Sequence, residues 1–288
     1  MLRALLLMIP CAAWGQTGEP APMPAVPEIA APAPVPDQSR GCGRWKAEGL
    51  GEGPIALGFL AADVVTGRRA CPRSEVGVGG RFAAIIDTPN YYGNLVVDGL
   101  VFGSVAINPK TEIFGTLEAV EYNWVQNASL KGSTLTLGTL TLGATRQFYG
   151  NDKFLGAFSA RILLPTSFVI PNTRLIGAEL GHAATWRPRD WLELHSYLGV
   201  DFDTALGRGP SLPRFGAVVT AGVQLSPFSF AALVVDATGR VGAKSFFAPT
   251  VALRFRVFRV GIELAGTLPL VGTDRHDFII GGRFSLRL

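Results

Sequence analysis

From Glu75 to the C-terminus the chain is one long succession of segments, each of about eleven to fifteen residues with period-two apolar character. They fall near 75–86, 95–107, 112–126, 133–148, 154–164, 174–186, 191–203, 212–225, 229–239, 245–257, 259–269 and 276–288. A strand crosses the hydrocarbon layer in roughly 9–11 residues, so each segment is long enough to span. The connections alternate in length. Asn108-Pro109-Lys110-Thr111, Gly150-Asn151-Asp152, Arg187-Pro188-Arg189-Asp190, Ser226-Pro227-Phe228 and Val257-Phe258 are tight, whereas 87–94, 127–132, 165–173, 204–211, 239–244 and 270–275 are longer. Short turns at one end and longer loops at the other are the pattern of a membrane barrel, and a soluble β-sandwich has no reason to produce it. The expected fold is all-β: a transmembrane antiparallel up-and-down β-barrel of about twelve strands.

Composition agrees with this reading. Charged residues make up 17% of the chain and glycine 35 of 288 positions. Beyond the first fifteen residues no apolar run reaches the roughly 18 that a spanning helix needs. The net charge of +4 is small and the basic residues are scattered, which argues against nucleic acid as a partner.

The N-terminus reads as a secretory signal over residues 1–15, with Arg3 as the positive region, a short apolar core over 4–14, and Ala13 and Gly15 at the small-residue positions. Lipid attachment at Cys11 is the alternative, and Pro10 before it departs from the usual lipoprotein pattern. Residues 16–40 carry Pro20, Pro22, Pro24, Pro27, Pro32, Pro34 and Pro36 and read as a Pro/Ala-rich periplasmic linker. Residues 41–74 read as a small pre-barrel or plug segment, in which Leu57, Leu60, Ala61, Val64 and Val65 recur at helical spacing while Ile55, Leu57 and Phe59 alternate as a strand would. Once the signal is removed, Cys42 and Cys71 are an even pair in an exported chain, which points to a disulfide. The barrel then occupies 75–288, with the N-terminal lead and the C-terminus both on the periplasmic side.

Alternation also sorts the faces. Leu192, Leu194, Leu198, Val200 and Phe202 oppose Glu193, His195, Tyr197 and Asp201; Val251, Leu253, Phe255 and Val257 oppose Arg254 and Arg256; Phe278, Ile280, Phe284, Leu286 and Leu288 oppose Arg283, Ser285 and Arg287. The apolar set belongs to lipid and the polar set to the lumen, so the pore-lining candidates are Glu118, Glu179, Glu193, His195, Tyr197, Asp201, Arg254, Arg256, Glu263, Arg283 and Arg287. Acidic residues gather on the third to seventh strands and arginines on the last three, an arrangement that would set a field across the lumen. In the fourth segment Leu135 and Leu137 fall out of phase with Leu140 and Leu142, which predicts a β-bulge at Gly138. Trp186, Trp191, Phe228, Phe230, Phe255 and Phe258 cluster at the short-turn end, with Tyr122 and Trp124 toward the other, as interfacial girdles do.

Two stretches resemble known proteins. Ile280, Phe284, Leu286 and Leu288 alternate to the last residue, as in the C-terminal strands of bacterial outer-membrane β-barrels, although here the end is Leu rather than an aromatic. The stretch from Gly156 through Arg161 to Thr166 resembles the strand-to-loop segment of outer-membrane transporters of the phenol-degradation meta pathway. The first resemblance implies outer-membrane lipid and the barrel-assembly machinery as partners, the latter through the C-terminal strand.

The function expected is an outer-membrane channel or transporter for small solutes or hydrophobic compounds. The alternatives are a closed structural or surface-binding barrel and, third, a membrane-embedded lipid hydrolase. No metal-spaced His/Cys cluster or phosphate loop is present in the sequence, so no cofactor is expected. His195 and Ser196 are neighbours on a strand and point to opposite faces, so they cannot act as base and nucleophile. The mature protein is expected to fractionate with the outer membrane and to migrate differently on gels before and after boiling; recovery from the periplasm without detergent would contradict this.

Overall fold

The computed structural model describes Cys42 and residues 69–87, 92–126, 131–165, 175–205, 213–242, 245–272 and 277–288. The signal, the Pro-rich linker, Cys11 and the helical spacing around Leu57–Val65 all lie outside the described residues, as do most of the long connections. The described part belongs to one compact unit, Asp37–Leu288.

Among the described residues fourteen strand segments run in chain order: β1 (Glu75–Asp87), β2 (Tyr92–Asn108), β3 (Thr111–Gln126), β4 (Lys131–Thr136), β5 (Thr139–Gly150), β6 (Phe154–Pro165), β7 (Leu175–Arg189), β8 (Leu192–Ala205), β9 (Arg214–Phe228), β10 (Ala231–Gly242), β11 (Phe246–Val257), β12 (Val260–Thr267), β13 (Val271–Gly272) and β14 (Phe278–Arg287). They build twelve staves, because β4 with β5 and β12 with β13 are each one interrupted strand. Every pairing is antiparallel between sequence neighbours, and β1 pairs with β14 from Glu75↔Arg287 to Ala84↔Phe278, which closes the barrel.

Both interruptions have local causes. The fourth segment contains a full break rather than a bulge: β4 pairs with the upper half of β3 and β5 with its lower half. The Glu118 carbonyl accepts from Gly138 N at 2.9 Å and its carboxylate accepts from Thr139 N at 2.9 Å, so Glu118 satisfies the backbone where the ladder stops. The slip of phase read from the leucines is this break. In the eleventh stave Pro269 has no N–H to give the ladder, and pairing with β11 resumes after it at Val271.

The tight turns lie at the barrel end that holds Ser74 and Leu288, whose N–H donates to the Ser74 carbonyl at 3.1 Å. Side chains shape them. Asn108 Oδ1 accepts from Lys110 N at 2.9 Å, and Asn151 Oδ1 accepts from Lys153 N and Phe154 N at 2.9 and 2.8 Å. Val257-Phe258-Arg259-Val260 is a two-residue turn with Phe258 at φ 54°, the left-handed conformation such hairpins require.

Facing follows the alternation read from the sequence. Val76, Val78, Leu198, Val200, Val251, Leu253, Leu264, Ile280 and Phe284 are exposed on the outer wall, whereas Glu179, Glu193, His195, Arg254 and Glu263 are buried within. An apolar exterior around a charged interior is the reverse of a soluble protein and matches a barrel that lipid surrounds.

Candidate functional site

The lumen wall is the candidate site, and its register decides which charges meet. Arg254, Glu263 and Arg283 lie directly opposite one another on β11, β12 and β14. Arg254 Nε donates to Glu263 Oε2 at 2.5 Å and its Nη1 to Gln224 Oε1 at 2.8 Å; Arg283 Nε lies 3.3 Å from Glu263 Oε1. The Arg283 guanidinium also sits 5.6 Å from the centre of the Phe102 ring. Arg161 and Glu179 are likewise opposite on β6 and β7, where they form an ion pair, and the Tyr197 hydroxyl donates to the same carboxylate. Arg81 and Asp98 pair across β1 and β2, with Arg81 Nε 2.6 Å from the carboxylate.

Glycines let charges meet across an intervening stave. His195 on β8 and Asp236 on β10 both register with Gly222 on β9, and the two side chains bond over it. A Cβ at Gly222 would lie 2.5 Å from His195 Nε2, so the pair exists because that position has no side chain. Gly216 registers with Asp201, and Arg240, which registers with Val218 two residues along, reaches over that glycine to donate from Nε to Asp201 Oδ2 at 2.9 Å. A Cβ there would lie 2.7 Å from Arg240 Nε. Asp203 is held by Arg214 on the neighbouring stave and lies 3.7 Å from Arg240.

Every candidate read from the sequence lies among the described residues. Glu179, Glu193, His195, Tyr197, Arg254 and Glu263 are buried on the inner face; Asp201, Arg256, Arg283 and Arg287 are half-buried there; Glu118 caps the break between β4 and β5. The structure does not keep the acidic wall apart from the basic one. Arg161, Arg214, Arg240 and the Arg81–Asp98 pair, none of them singled out in the sequence, neutralise charge within neighbouring staves. Low dielectric explains the pattern, because a buried charge is tolerated only with a partner at hand.

A strap crosses the lumen at the turn-bearing end. Arg69 donates to Glu75 at 2.6 Å and to Glu112 at 2.8 Å, the Arg73 amide donates to Glu112 at 2.7 Å, and the Ser104 hydroxyl donates to the Arg73 carbonyl at 2.7 Å. Four residues upstream of Glu75, Cys71 packs with Cys42 and Ala70 in a buried cluster that includes Leu155, Ala157, Ala183, Tyr197 and Val218. Residues 69–75 are thus anchored at the β1–β3 wall through Arg69, Arg73 and Glu75, and Ala70 and Cys71 between them join the cluster on β6–β9. Cys42 and Cys71 lie at disulfide distance, with Cα atoms 5.6 Å apart.

No protein-family model matches the sequence, and no curated protein matches it. Solved structures do. A crystal structure of an outer membrane channel from Pseudomonas putida F1 aligns over 75% of this chain and 96% of that one, with a TM-score of 0.60 at 10% identity. The KdgM porin in complex with disordered oligogalacturonate aligns over 74% of this chain and 99% of that one, with a TM-score of 0.51 at 7% identity. The fold is that of outer-membrane β-barrels. At these identities the likeness is one of architecture.

The barrel also holds a cavity of about 370 Å³ at the turn-bearing mouth of the lumen. It is lined by Arg187, Asp190, Trp191, Arg254 and Arg256 with the Ser226–Ala232 turn. Of the aromatics expected in a girdle, Trp186 and Phe255 are exposed on the outer parity, but Trp191, Phe228 and Phe230 share the parity of the inward side chains and line this cavity. Among the described residues no group of three His, Cys, Asp or Glu is arranged to hold a metal ion. Ser196 is exposed on the outer face and His195 buried on the inner, and His182 is on the outer wall, 3.0 Å from the Tyr149 hydroxyl.

The Glu263 carboxylate serves two arginines, Arg254 at 2.5 Å and Arg283 at 3.3 Å. Glu263→Gln leaves a buried guanidinium without its counter-charge and is expected to cost about 3–5 kcal/mol, read as a lower urea midpoint of the protein folded in vesicles. An unchanged midpoint would contradict the pairing.

Proposed function

We propose that the protein is an outer-membrane channel for small solutes, closed at its periplasmic end by the strap that Cys42 and residues 69–74 form there. The observation that carries the reading is a closed barrel with an apolar outer wall and a charged inner wall, since lipid outside and polar groups inside describe a conduit rather than an anchor. The architecture it shares with an outer membrane channel and a porin supports the reading. The tight-turn end, which also holds the C-terminus, faces the periplasm, as short turns do in barrels of this kind.

The plug reading rests on the strap. Glu112 is its anchor: fully buried, it receives the Arg69 guanidinium and the Arg73 amide from the strap.

A second reading, a closed barrel without transport, is favoured by the tightness of the inner wall. Tyr197, Val218, Thr220, Gln224, Val234 and Arg240 are at most 1% exposed, as in the core of a soluble protein. Conductance separates the two. In planar bilayers the native protein is expected to conduct little, and Glu112→Gln, alone or with reduction of the disulfide, is expected to raise both open probability and conductance. Glu112→Gln protein that keeps its heat-dependent gel shift yet never conducts would favour the closed barrel.

A further inference from the structure

The outer wall across β5, β6 and β7 departs from the apolar rule that the rest of the exterior obeys. Between the two rims, and among the described residues, the outward positions of the strands hold no carboxylate, and their basic side chains are Arg146 on β5 and His182 on β7. Arg146 is exposed and shares its face with Leu142 and Phe148, while Thr145 and Gln147 on either side of it turn inward. It registers with Thr111 on one side and Phe158 on the other, and Phe158 registers with His182. An arginine facing lipid is costly at the middle of the bilayer and far less so at its surface. Thr111 is the first residue of β3 after a tight turn, so Arg146 stands at the level of that surface.

We propose that this patch binds the phosphate of an anionic glycerophospholipid, with Arg146 as its counter-charge and the Tyr149–His182 pair as its hydrogen-bond donor. Lipid bathes the whole outer wall; the proposal is one built site for one headgroup. It rests on the channel reading above only for the leaflet, which is the periplasmic one.

The neighbouring carboxylates do not neutralise Arg146. Glu112, beside Thr111, turns into the lumen to Arg69, Glu179 is held by Arg161, and Asp190 lies 3.6 Å from Arg187. Asp152 is exposed in the turn after β5, where Lys153 follows it and Lys110 occupies the next turn. No ion pair or hydrogen bond holds the Arg146 guanidinium among the described residues.

The donor is built by a bulge and a glycine. The register shift between Gln147 and Tyr149 leaves both Phe148 and Tyr149 exposed. Tyr149 then lies across β6: a Cβ at Gly156 would fall within its ring, so the ring can cross only because that position is glycine. Its hydroxyl meets His182 Nε2 at 3.0 Å, two staves away. One proton is left to give whichever way that bond runs. If Tyr149 donates, the neutral imidazole carries its proton on Nδ1; if Nε2–H donates, Tyr149 keeps its own. Phe158 stands between the arginine and the histidine, edge-on to Phe148 at 4.7 Å and 4.9 Å from the His182 ring. Such rings suit the boundary between headgroups and acyl chains. Next up the wall, the exposed Ala144 and Ala160 register with each other and leave a shallow track for a chain.

Charge selects the occupant. A phosphodiester gives a guanidinium two oxygens. A zwitterionic headgroup adds an ammonium for which this wall has no carboxylate. A second copy of the chain, docked through the same patch about a two-fold axis, would set Arg146 against its equivalent.

The test uses the full-length protein in phosphatidylcholine nanodiscs, with brominated-chain phosphatidylglycerol as the probe and brominated phosphatidylethanolamine as its zwitterionic counterpart. Trp186, exposed on the outer wall opposite Phe154, is the reporter, and the signal lost in Trp186→Phe isolates it. Phosphatidylglycerol is expected to quench with about fivefold preference over phosphatidylethanolamine, the factor one arginine supplies near a membrane surface. Arg146→Gln should abolish the preference, Tyr149→Phe with His182→Leu should reduce it, and Lys110→Gln in the exposed turn should leave most of it. Added salt should weaken the preference of the native protein. The heat-dependent gel shift checks folding, and should Arg146→Gln fail it, the Tyr149 and His182 double variant and the salt series decide. Equal quenching by the two lipids, a preference that the variants leave unchanged, or one that Lys110→Gln removes as fully as Arg146→Gln would overturn the proposal. None of these readouts involves conductance, so this proposal and the channel reading fail separately.

Discussion

Inside a bilayer no water is available to a backbone N–H or C=O, and every ladder must therefore find a partner within the protein. The seam between β1 and β14 meets this demand: Glu75 to Ala84 register against Arg287 to Phe278 and leave the sheet without an edge. The two interruptions obey the same constraint. Glu118 turns both a carbonyl and a carboxylate to the break at Gly138, and around Pro269 the amides of Leu268 and Leu270 still reach the Pro249 and Phe247 carbonyls of β11 at 3.1 and 2.9 Å.

Closure fixes facing, and facing fixes electrostatics. Once period two sends the aliphatic residues to lipid, the arginines and carboxylates of the same strands must turn inward, where their desolvation is large. Register then brings partners together on adjacent staves, as with Arg254, Glu263 and Arg283. Glycine extends the reach by one stave, as Gly222 does for His195 and Asp236. The interior is thus a set of short ladders rather than two charged walls, and the strap at residues 69–75 adds Arg69 and Arg73 to it through Glu112.

The barrel was legible in the sequence because its two signals, alternation and connection length, are local. Leu198 against Tyr197, or Leu253 against Arg254, tells the face of a residue without knowledge of its neighbours in space. Pairing is not local in that sense. Nothing near Asp236 or Arg240 marks them as partners of His195 and Asp201, since the link passes through a glycine on a third strand. Trp191, Phe228 and Phe230 read as girdle residues for a similar reason: position near a strand end is visible in sequence, whereas the side on which a turn folds its aromatics depends on the neighbouring turn. The break at Gly138 lay between these cases, because the leucine phases flanking it recorded the slip but not its geometry.

The inward side chains form a packed, paired interior beneath a lipid-facing outer wall. Collision accessibility along β8 tests it most directly, with a nitroxide placed in turn at positions 193–202 of the protein in vesicles. Strict period two is expected: oxygen accessibility peaks at 194, 196, 198, 200 and 202, and positions 193, 195, 197 and 201 are shielded from both oxygen and a water-soluble nickel chelate. Loss of the alternation would contradict the barrel. High nickel accessibility at the odd positions would contradict the packed interior.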